Sequence, residues 1–210
     1  MVDGPLPPLS HKESESLYGP WVGTSPVETM AELAGADFPW WVSGGWALDA
    51  ATGTSRQHGD TDVVVLRDDL RALRERLAGY HLWEPLDGAL RPLRPGDDLT
   101  EGCEQLWVRR DAGSPWVWDV LLTETGGGDW LCKRDRSIRL PLDAIGWIHD
   151  GVPYLRPEIV LLFKAKHLRA KDVDDFERTL PHLDPAARSW LADGLRVVHP
   201  GHPWLASLGA

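Results

Sequence analysis

Two aspartates, Asp60 and Asp62, stand one residue apart at the start of an apolar, β-branched segment, HGDTDVVVL. On a strand, side chains two residues apart lie on one face, roughly 6.5–7 Å from each other. Two carboxylates held there repel each other and lose hydration, and a pair of divalent ions about 3.5–4 Å apart would compensate them. The spacing therefore indicates a metal site, unless Asp60 lies in a turn at Gly59 and Asp62 merely faces solvent.

A glycine pair precedes the aspartates. Gly44 and Gly45 directly follow the apolar segment FPWWVS, a predicted strand, and open a short helical pattern that Gly53 closes. Free backbone N–H groups at a helix start without side-chain bulk are suited to bind phosphate. The order strand, Gly-Gly, helix, strand, Asp-x-Asp places this phosphate site and the aspartates at the same end of adjacent strands. A tight turn alone would also account for the glycines.

A third carboxylate, Asp119, interrupts the otherwise apolar strand pattern SPWVWDVLLTE. Buried carboxylates without a partner are rare, so we expect Asp119 to belong to a site; an edge strand facing water is the alternative. Three aspartates on neighbouring strands would form a platform for metal ions. The third could bind metal or take a proton from an attacking hydroxyl.

Composition restricts the class of protein and its partners. The 210 residues, 42% hydrophobic and 26% charged, are typical of a soluble globular protein. The formal charge of −10 argues against nucleic acid and favours neutral or cationic partners. No apolar run approaches the about 20 residues needed to cross a bilayer, the N-terminus has no signal-peptide pattern, and two cysteines make no disulfide framework. We expect a cytoplasmic protein with reduced thiols, either a monomer or a homodimer.

The elements that must position these residues follow from periodicity and turn signals. Ser25, Pro26 and Glu28 predict a capped helix start. Strands are predicted for TDVVVLR, EQLWVRRD and PWVWDVLLTE, an amphipathic helix for RDDLRALRERLAG, and hairpins for DWLCKRD with RSIRLP and for IGWIHDGVPYL.

Three regions of the chain differ in composition and in predicted secondary structure. Residues 1–25 are rich in Pro, Gly, Ser and charge, which predicts a loose arm or an irregular cover. Residues 26–156 alternate strand and helix patterns. Residues 157–210 are predicted to be helical, with breaks near Arg169–Lys171 and at Pro181 and Pro185.

The stretch SGGWALDAATGTSRQHGDTDVVV resembles the nucleotidyltransferase superfamily that includes DNA polymerase β. In detail it is similar to the aminoglycoside 2″-adenylyltransferase-like and lincosamide nucleotidyltransferase-like proteins, which carry Gly-Gly-Trp-Ala, an Asp, a Gly, then Arg, His and Asp-x-Asp in this order. The segment PEIVLLFKAKHLRAKDVDDF is similar to the helical segment of the same group. The positions that match the central motif are Gly44, Gly45, Trp46, Ala47, Asp49, Gly53, Arg56, His58, Asp60 and Asp62.

This resemblance covers about residues 26–195 and implies an α/β (α+β) fold, a polymerase-β-type mixed sheet with flanking helices plus a C-terminal helical domain. It implies Mg²⁺, expected as two ions, and ATP or another NTP as donor of an NMP, expected to be AMP, to a hydroxyl, with release of pyrophosphate. Asp60 and Asp62 would hold Mg²⁺, Ser43 and the glycine pair would cradle the phosphates, and Asp119 would activate the hydroxyl.

Other charged residues near these motifs have two interpretations each. Lys164 and Lys171 are seven residues apart in a helical pattern and hence near one face. Either could hold the triphosphate or the leaving pyrophosphate, or simply face solvent. Arg56 and His58 could contact phosphate or order the loop before Asp60, and a structural hydrogen bond alone would explain the histidine.

The acceptor side is less well defined by the sequence. Glu158, after Pro157, is favoured at a helix start by the helix dipole, whereas the resemblance suggests that it faces the acceptor. The acidic residues of segment 172–177 are either helix surface or a rim that attracts a cationic acceptor. Flat walls for a sugar or a base could come from Trp46, Trp116 and Trp118, unless they pack in the core.

The sequence leaves more than one function open. The nearest look-alikes favour an antibiotic acceptor with several hydroxyls, such as an aminoglycoside or a lincosamide. A protein-modifying transferase of the toxin–antitoxin type would instead attach AMP to a protein side chain, and a catalytically silent module would bind nucleotide without turnover. The acidic balance makes a tRNA-tailing enzyme the poorest fit.

Overall fold

A computed structural model describes residues 11–86 and 88–209. Within these ranges ten strands form a mixed sheet in the order β4-β3-β5-β6-β2-β1-β10-β9, and β7 pairs with both β6 and β8. The pairs β1–β10 and β2–β6 are parallel, and the others are antiparallel. The strands are β1 (Trp40–Val42), β2 (Asp62–Leu66), β3 (His81–Leu86), β4 (Ala89–Leu93), β5 (Gln105–Arg109), β6 (Trp116–Gly126), β7 (Asp129–Leu131), β8 (Arg139–Pro141), β9 (Gly146–His149) and β10 (Val152–Leu155).

Helices precede, interrupt and follow the sheet. The second begins as predicted, with Ser25 at the N-cap, Pro26 in the first turn and a reciprocal hydrogen bond from Glu28. The third ends at Gly53, which has the left-handed conformation (φ +67°). The helices are α1 (His11–Tyr18), α2 (Pro26–Leu33), α3 (Gly44–Thr52), α4 (Leu70–Arg76), α5 (Pro157–Lys164), α6 (Ala170–Thr179), α7 (Pro185–Val198) and α8 (Trp204–Ser207), with short 3₁₀ turns at 67–69, 142–144 and 180–182.

Two hydrophobic clusters cover the two faces of the sheet, because successive side chains of a strand point to opposite faces. Val64 and Leu66 of β2 pack with residues of α3 and of the C-terminal helices, whereas Val63 and Val65 pack with residues at α4. Burying each large aliphatic side chain stabilises the fold by roughly 1.5–3 kcal/mol. The first cluster contains residues on both sides of position 156, so the helical segment completes the core of the sheet.

The predicted mixed α/β fold with flanking helices is confirmed, and the predicted hairpins are present as β7–β8 and β9–β10. The hairpin β3–β4 was not predicted. Pro85 and Pro92 interrupt its alternation, and proline cannot donate a ladder hydrogen bond. Pro92 is tolerated because β4 forms one end of the strand order, and Pro85 because it lies beyond the residues of β3 that pair with β5.

The described part of the N-terminal arm is ordered against the sheet. Residues 11–18 form α1, which was not predicted, and the first ten residues lie outside the described ranges. Beyond α1, Val22 N–H donates to the Trp116 carbonyl at 2.9 Å, and Trp116 N–H donates to the Pro20 carbonyl at 2.9 Å. This segment therefore pairs with the start of β6, as an irregular cover would. None of the helices in the described ranges combines the length and the apolar character that crossing a membrane requires.

Candidate active site

Asp62 and Asp119 lie side by side on neighbouring parallel strands. The register of β2 on β6 pairs the two residues, and residues paired in register share one face of a sheet. Asp60 immediately precedes β2. Burial is the largest cause and the negative charge of Asp60 the second, and together they raise the pKa of Asp62 to about 6. Burial, followed by the charges of Asp62 and Asp60, raises the pKa of Asp119 well above its ordinary value. The three predicted carboxylates therefore share one electrostatic site.

The start of α3 approaches this pair closely, and Gly44 makes the approach possible. A Cβ at Gly44 would overlap Asp62 Oδ2, and the backbone has φ +60°, a conformation that only glycine adopts at little cost. The backbone N–H of Ser43 donates to the Asp62 carbonyl at 2.9 Å. Asp62 thus faces the N-terminus of a helix, where unpaired N–H groups carry partial positive charge.

The loop between α3 and β2 is tied back to the helix by Asp49. Its Oδ2 accepts from the Arg56 backbone N–H at 2.9 Å and lies 2.7 Å from His58 Nε2. The His58 ring stacks on Trp46 with centroids 4.1 Å apart, and burial lowers the pKa of His58. A Cβ at Gly45 would overlap both loop side chains. These contacts support the interpretation that Arg56 and His58 order the loop before Asp60. The central role of Asp49 in this loop was not predicted from the sequence.

The same loop is joined to the C-terminal helices through Asp175. Both of its carboxylate oxygens lie 3.3 Å from the Arg56 guanidinium, Lys164 Nζ lies 2.9 Å away, and Arg178 Nη2 lies 2.6 Å away. Burial on its own would raise the pKa of Asp175, but the hydrogen bond and charge of Lys164, together with those of Arg56, lower it below the ordinary value. The arginine predicted to contact phosphate is therefore engaged by an aspartate.

The expectation that segment 172–177 forms helix surface or an acidic rim is wrong for two of its four acidic residues. Asp172 and Asp175 are fully buried, and Arg169 donates to both oxygens of Asp172 at 2.7 and 3.2 Å. Only Asp174 and Glu177 are exposed. Half of the apparent acidic cluster thus consists of buried members of an ion-pair network.

Lys164 and Lys171 do not lie on one continuous helix. Lys164 is the last residue of α5, and Lys171 is the second residue of α6, so the argument from helical spacing does not apply. Their positive charges nevertheless reach the aspartate site, since the charges of Lys164, Lys171 and Arg169 all act to lower the pKa of Asp62. The C-terminal segment thus supplies the cations that act on Asp62, whereas Lys133 acts on Asp119.

Trp118 does not line the site, contrary to the expectation. Its neighbour Asp119 points to the opposite face, and the Trp118 ring is 1% exposed within the cluster that contains Val63. Its Nε1 donates to the hydroxyls of Thr24 and Thr29 at 2.8 and 3.1 Å. Trp118 is therefore a core residue, because strand alternation turns it away from the aspartates.

Trp116 is equally buried, with 1% exposure, whereas Trp46 remains partly exposed. Glu158 is buried too, and Arg156 Nε lies 2.7 Å from it. Burial raises the pKa of Glu158. With Trp147 it lines a cleft of about 490 Å³ that does not include the three aspartates. The structure therefore does not bring Glu158 to the carboxylate site.

A cleft of about 510 Å³ extends from Ser43 between the sheet and the C-terminal helices. Val64 and Leu121 form its floor, two residues beyond Asp62 and Asp119 on the same face of the sheet. One wall is basic and was largely missed from the sequence, although the dipeptide Lys-Arg after β7 is a visible signal. Its cationic or titratable members are Lys133, Arg134, Lys166, His167 and Arg169.

The carboxylates fit a metal ion that binds together with a nucleotide. Within the described ranges, no three His, Cys, Asp or Glu side chains converge to hold a metal by themselves. However, Asp119 Oδ1 is buried without a hydrogen-bond partner in this part of the chain. Mg²⁺ is commonly held by one or two carboxylates plus substrate phosphates. A buried, unpartnered carboxylate oxygen next to Asp62 matches that donor set.

The mixed sheet, the glycine-opened helix and the paired strand aspartates define a nucleotidyltransferase. Residues 27–95 match the family model of aminoglycoside-2″-adenylyltransferase. A 2″-aminoglycoside nucleotidyltransferase from Escherichia coli is 41% identical over 152 aligned residues, which cover 54% of this chain and 84% of that protein, and one from Klebsiella pneumoniae matches equally. The chain belongs to this family of enzymes.

Solved structures share the fold at low sequence identity. This chain is similar to the crystal structure of ANT(2″)-Ia in complex with adenylyl-2″-tobramycin, at 15% sequence identity and a TM-score of 0.51. The match covers 79% of this chain and 91% of that chain. The lincomycin-bound lincosamide adenylyltransferase LnuA has 13% identity and a TM-score of 0.53, and covers 78% of this chain and 99% of its own.

Replacing Asp119 with Asn should stabilise the metal-free protein at pH 8 but not at pH 4. Because its pKa is raised in the folded state, folded Asp119 keeps a proton that the unfolded chain releases above about pH 4. Stability therefore falls as pH rises through this window, and the neutral amide avoids the loss. We expect a gain of at least about 1 kcal/mol at pH 8, measured by urea unfolding with EDTA. The exposed Asp143→Asn serves as control, and a gain that does not depend on pH would contradict the assignment.

Asp175→Asn should destabilise the protein by about 3–5 kcal/mol, because it leaves Arg56, Lys164 and Arg178 without the carboxylate that compensates them. Chemical denaturation at neutral pH measures the change. Glu177→Gln, on the exposed side of the same helix, is the matched control and should stay within about 0.5 kcal/mol of the unaltered protein. Equal changes in the free energy of unfolding for the two variants would show that the ion-pair network does not stabilise the fold.

Proposed function

We propose that the protein transfers an NMP, with AMP from ATP as the expected group, to a hydroxyl of an aminoglycoside-like or lincosamide-like antibiotic and releases pyrophosphate. The observation that carries the proposal is the in-register pair Asp62–Asp119. It lies against a helix start whose close approach to Asp62 and positive φ require a glycine at position 44. The family relatives named as 2″-aminoglycoside nucleotidyltransferases support the acceptor class. Transfer of this kind modifies the drug and would make the protein a resistance enzyme.

Asp60 and Asp62, with Asp119, are the residues that would hold Mg²⁺. When bound, the ion supplies positive charge that stabilises the phosphate under attack. Ser43 and the N–H groups that open α3 bind the β- and γ-phosphates. Lys164, Lys171 and the basic wall of the cleft then compensate the triphosphate and the departing pyrophosphate.

Asp119 accepts the proton of the acceptor hydroxyl. A carboxylate whose pKa is raised towards the working pH is a better proton acceptor than an ordinary one. The hydroxyl oxygen forms a bond to the α-phosphorus while the bond to the bridging oxygen breaks, and that oxygen leaves with pyrophosphate. The buried position of Asp119 Oδ1, without a hydrogen-bond partner among the described residues, leaves it free for this role.

The two parts of the chain divide the work. Residues 26–156 contribute the carboxylates and the glycine-opened helix, and residues 157–210 contribute the cations at the end of α5 and the start of α6. Asp49 and Asp175 connect the parts through the loop at Arg56. We therefore keep 156/157 as a functional boundary, although the hydrophobic core crosses it.

Asp62→Asn and Asp119→Asn should separate metal binding from proton transfer. Asp62→Asn should lose at least about 10³-fold in turnover, because several kcal/mol of charge stabilisation are removed. Asp119→Asn should still bind nucleotide with Mg²⁺ but lose roughly 10²–10⁴-fold in rate. Pyrophosphate release measures turnover, and calorimetric titration with a non-hydrolysable ATP analogue measures binding.

The control for this experiment is Asp68→Asn, at an exposed residue after β2, which should keep normal rates. Asp60→Asn should lose turnover to the same extent as Asp62→Asn. Near-normal turnover in folded Asp60→Asn or Asp62→Asn would refute the metal platform. If Asp119→Asn greatly weakens nucleotide and metal binding but keeps a high rate at saturating substrate, Asp119 acts only as a ligand or a structural residue and not as the base.

Cationic acceptors should be preferred, and their use should weaken as salt rises. The net charge of −10 attracts cations, and salt screens this attraction. A panel of aminoglycosides, lincosamides, uncharged sugars and candidate proteins, scored by pyrophosphate release and by the mass gain of the acceptor, measures the preference. Turnover confined to uncharged or anionic acceptors would contradict the electrostatic argument. Labelling confined to a protein would instead identify a protein-modifying transferase.

A further inference from the structure

The aspartate pair continues as a row of side chains across four strands. The register of β5 on β6 pairs Trp107 with Asp119, and the register of β3 on β5 pairs Trp83 with Trp107. Residues paired in register point to the same face, with Cβ atoms of antiparallel neighbours about 4.5–5.5 Å apart. Asp62, Asp119, Trp107 and Trp83 therefore lie side by side on the face that carries the carboxylates.

The two tryptophans of this row differ from core tryptophans. Trp116 and Trp118 are 1% exposed and donate their indole N–H groups to the protein, whereas Trp83 and Trp107 are partly exposed. Neither Trp83 Nε1 nor Trp107 Nε1 has a hydrogen-bond partner in the described ranges. Sheltered indole N–H groups normally have a partner. These two rings therefore offer partly exposed aromatic surface on the face that carries Asp119.

The N-terminal arm adds a third ring to this surface. Trp21 meets Trp107 edge to face, with centroids 5.0 Å apart and an interplanar angle of 79°. The arm is fixed there by its backbone hydrogen bonds to Trp116. The Arg109 guanidinium lies 5.0 Å from the Trp83 ring, whereas no described Lys or Arg stacks on Trp107. The ring nearest to Asp119 is thus the one without a resident cation.

We propose that Trp107, flanked by Trp83 and Trp21, forms the subsite for the amino-sugar ring that carries the reacting hydroxyl. This inference rests on the proposed function. A hydroxyl that gives its proton to Asp119 must lie within about 2.6–3.2 Å of that carboxylate, and the next side chain on that face is Trp107. An aromatic face attracts ammonium groups. The surface thus fits a cationic ring next to Asp119.

The test compares Trp107→Leu with Trp107→Phe, which keeps an aromatic face, and with Trp190→Leu at a partly exposed tryptophan of α7. Initial rates are measured with ATP and with tobramycin, or with the best acceptor of the panel. Trp107→Leu should raise the acceptor KM about tenfold or more while leaving the KM for ATP unchanged. Trp107→Phe should restore most of the loss, and Trp190→Leu should behave like the unaltered protein. If Trp107→Leu does not fold, Trp21→Leu in the arm should raise the acceptor KM in the same selective way.

The outcomes distinguish this inference from the proposed function. If the unaltered protein transfers nucleotide but Trp107→Leu keeps its acceptor KM, the subsite is overturned and the function stands. A parallel loss for ATP and acceptor, or a Trp190→Leu variant that behaves like Trp107→Leu, would show a structural effect and also overturn the subsite. If the unaltered protein modifies no acceptor of the panel, the proposed function fails, and the inference fails with it.

Discussion

The burial of Asp62 and Asp119 side by side, next to Asp60, is the constraint on which the rest of the site depends. Burial and then the charge of Asp60 raise the pKa of Asp62, and burial and then the charges of Asp62 and Asp60 raise the pKa of Asp119, so ionising both carboxylates at neutral pH is unfavourable. The surroundings hold this unfavourable arrangement in place instead of relieving it. Gly44 lets a helix start come up to Asp62, and the pairing of β2 with β6 prevents the carboxylates from moving apart. The charges of Lys164, Lys171 and Arg169 compensate Asp62 only in part, since its pKa remains raised.

The chain treats other buried carboxylates in the opposite way. Asp172, Asp175 and Glu84 are fully buried, yet their pKa values fall below the ordinary range despite that burial, because Arg or Lys partners and hydrogen bonds stabilise the charged form. The direction of the pKa shift thus distinguishes these three ion-paired carboxylates from Asp62 and Asp119, which burial alone does not. Of the three, Asp175 joins the loop before Asp60 to the C-terminal helices through Arg56 and Lys164.

Local patterns in the sequence were sufficient for the helix cap at Ser25, the strand with Asp62 and the hairpin at Asp150. They failed where the outcome depended on long-range register or on partners distant in the chain. Prolines concealed β3–β4, and Asp175 was taken for surface because Arg56, its partner, is 119 residues away. Trp118 was expected in the site and Trp107 was not considered, since only the strand register shows which tryptophan shares a face with Asp119.

Under the proposed function a protein with a formal charge of −10 binds an anionic triphosphate, so the charges around the cleft must differ from the charge of the whole protein. Asp172 and Asp175 add to the net charge, but their ion pairs cancel their field at short range. The lining of the cleft nevertheless carries four basic side chains, Lys133, Arg134, Lys166 and Arg169, against one acidic side chain, Glu104. Under the proposed function the nucleotide would meet these basic side chains, whereas a cationic acceptor would be attracted by the net negative charge of the protein, an attraction that salt screens over a Debye length of about 8–10 Å. Opposite charges on the two substrates are thus compatible with one site.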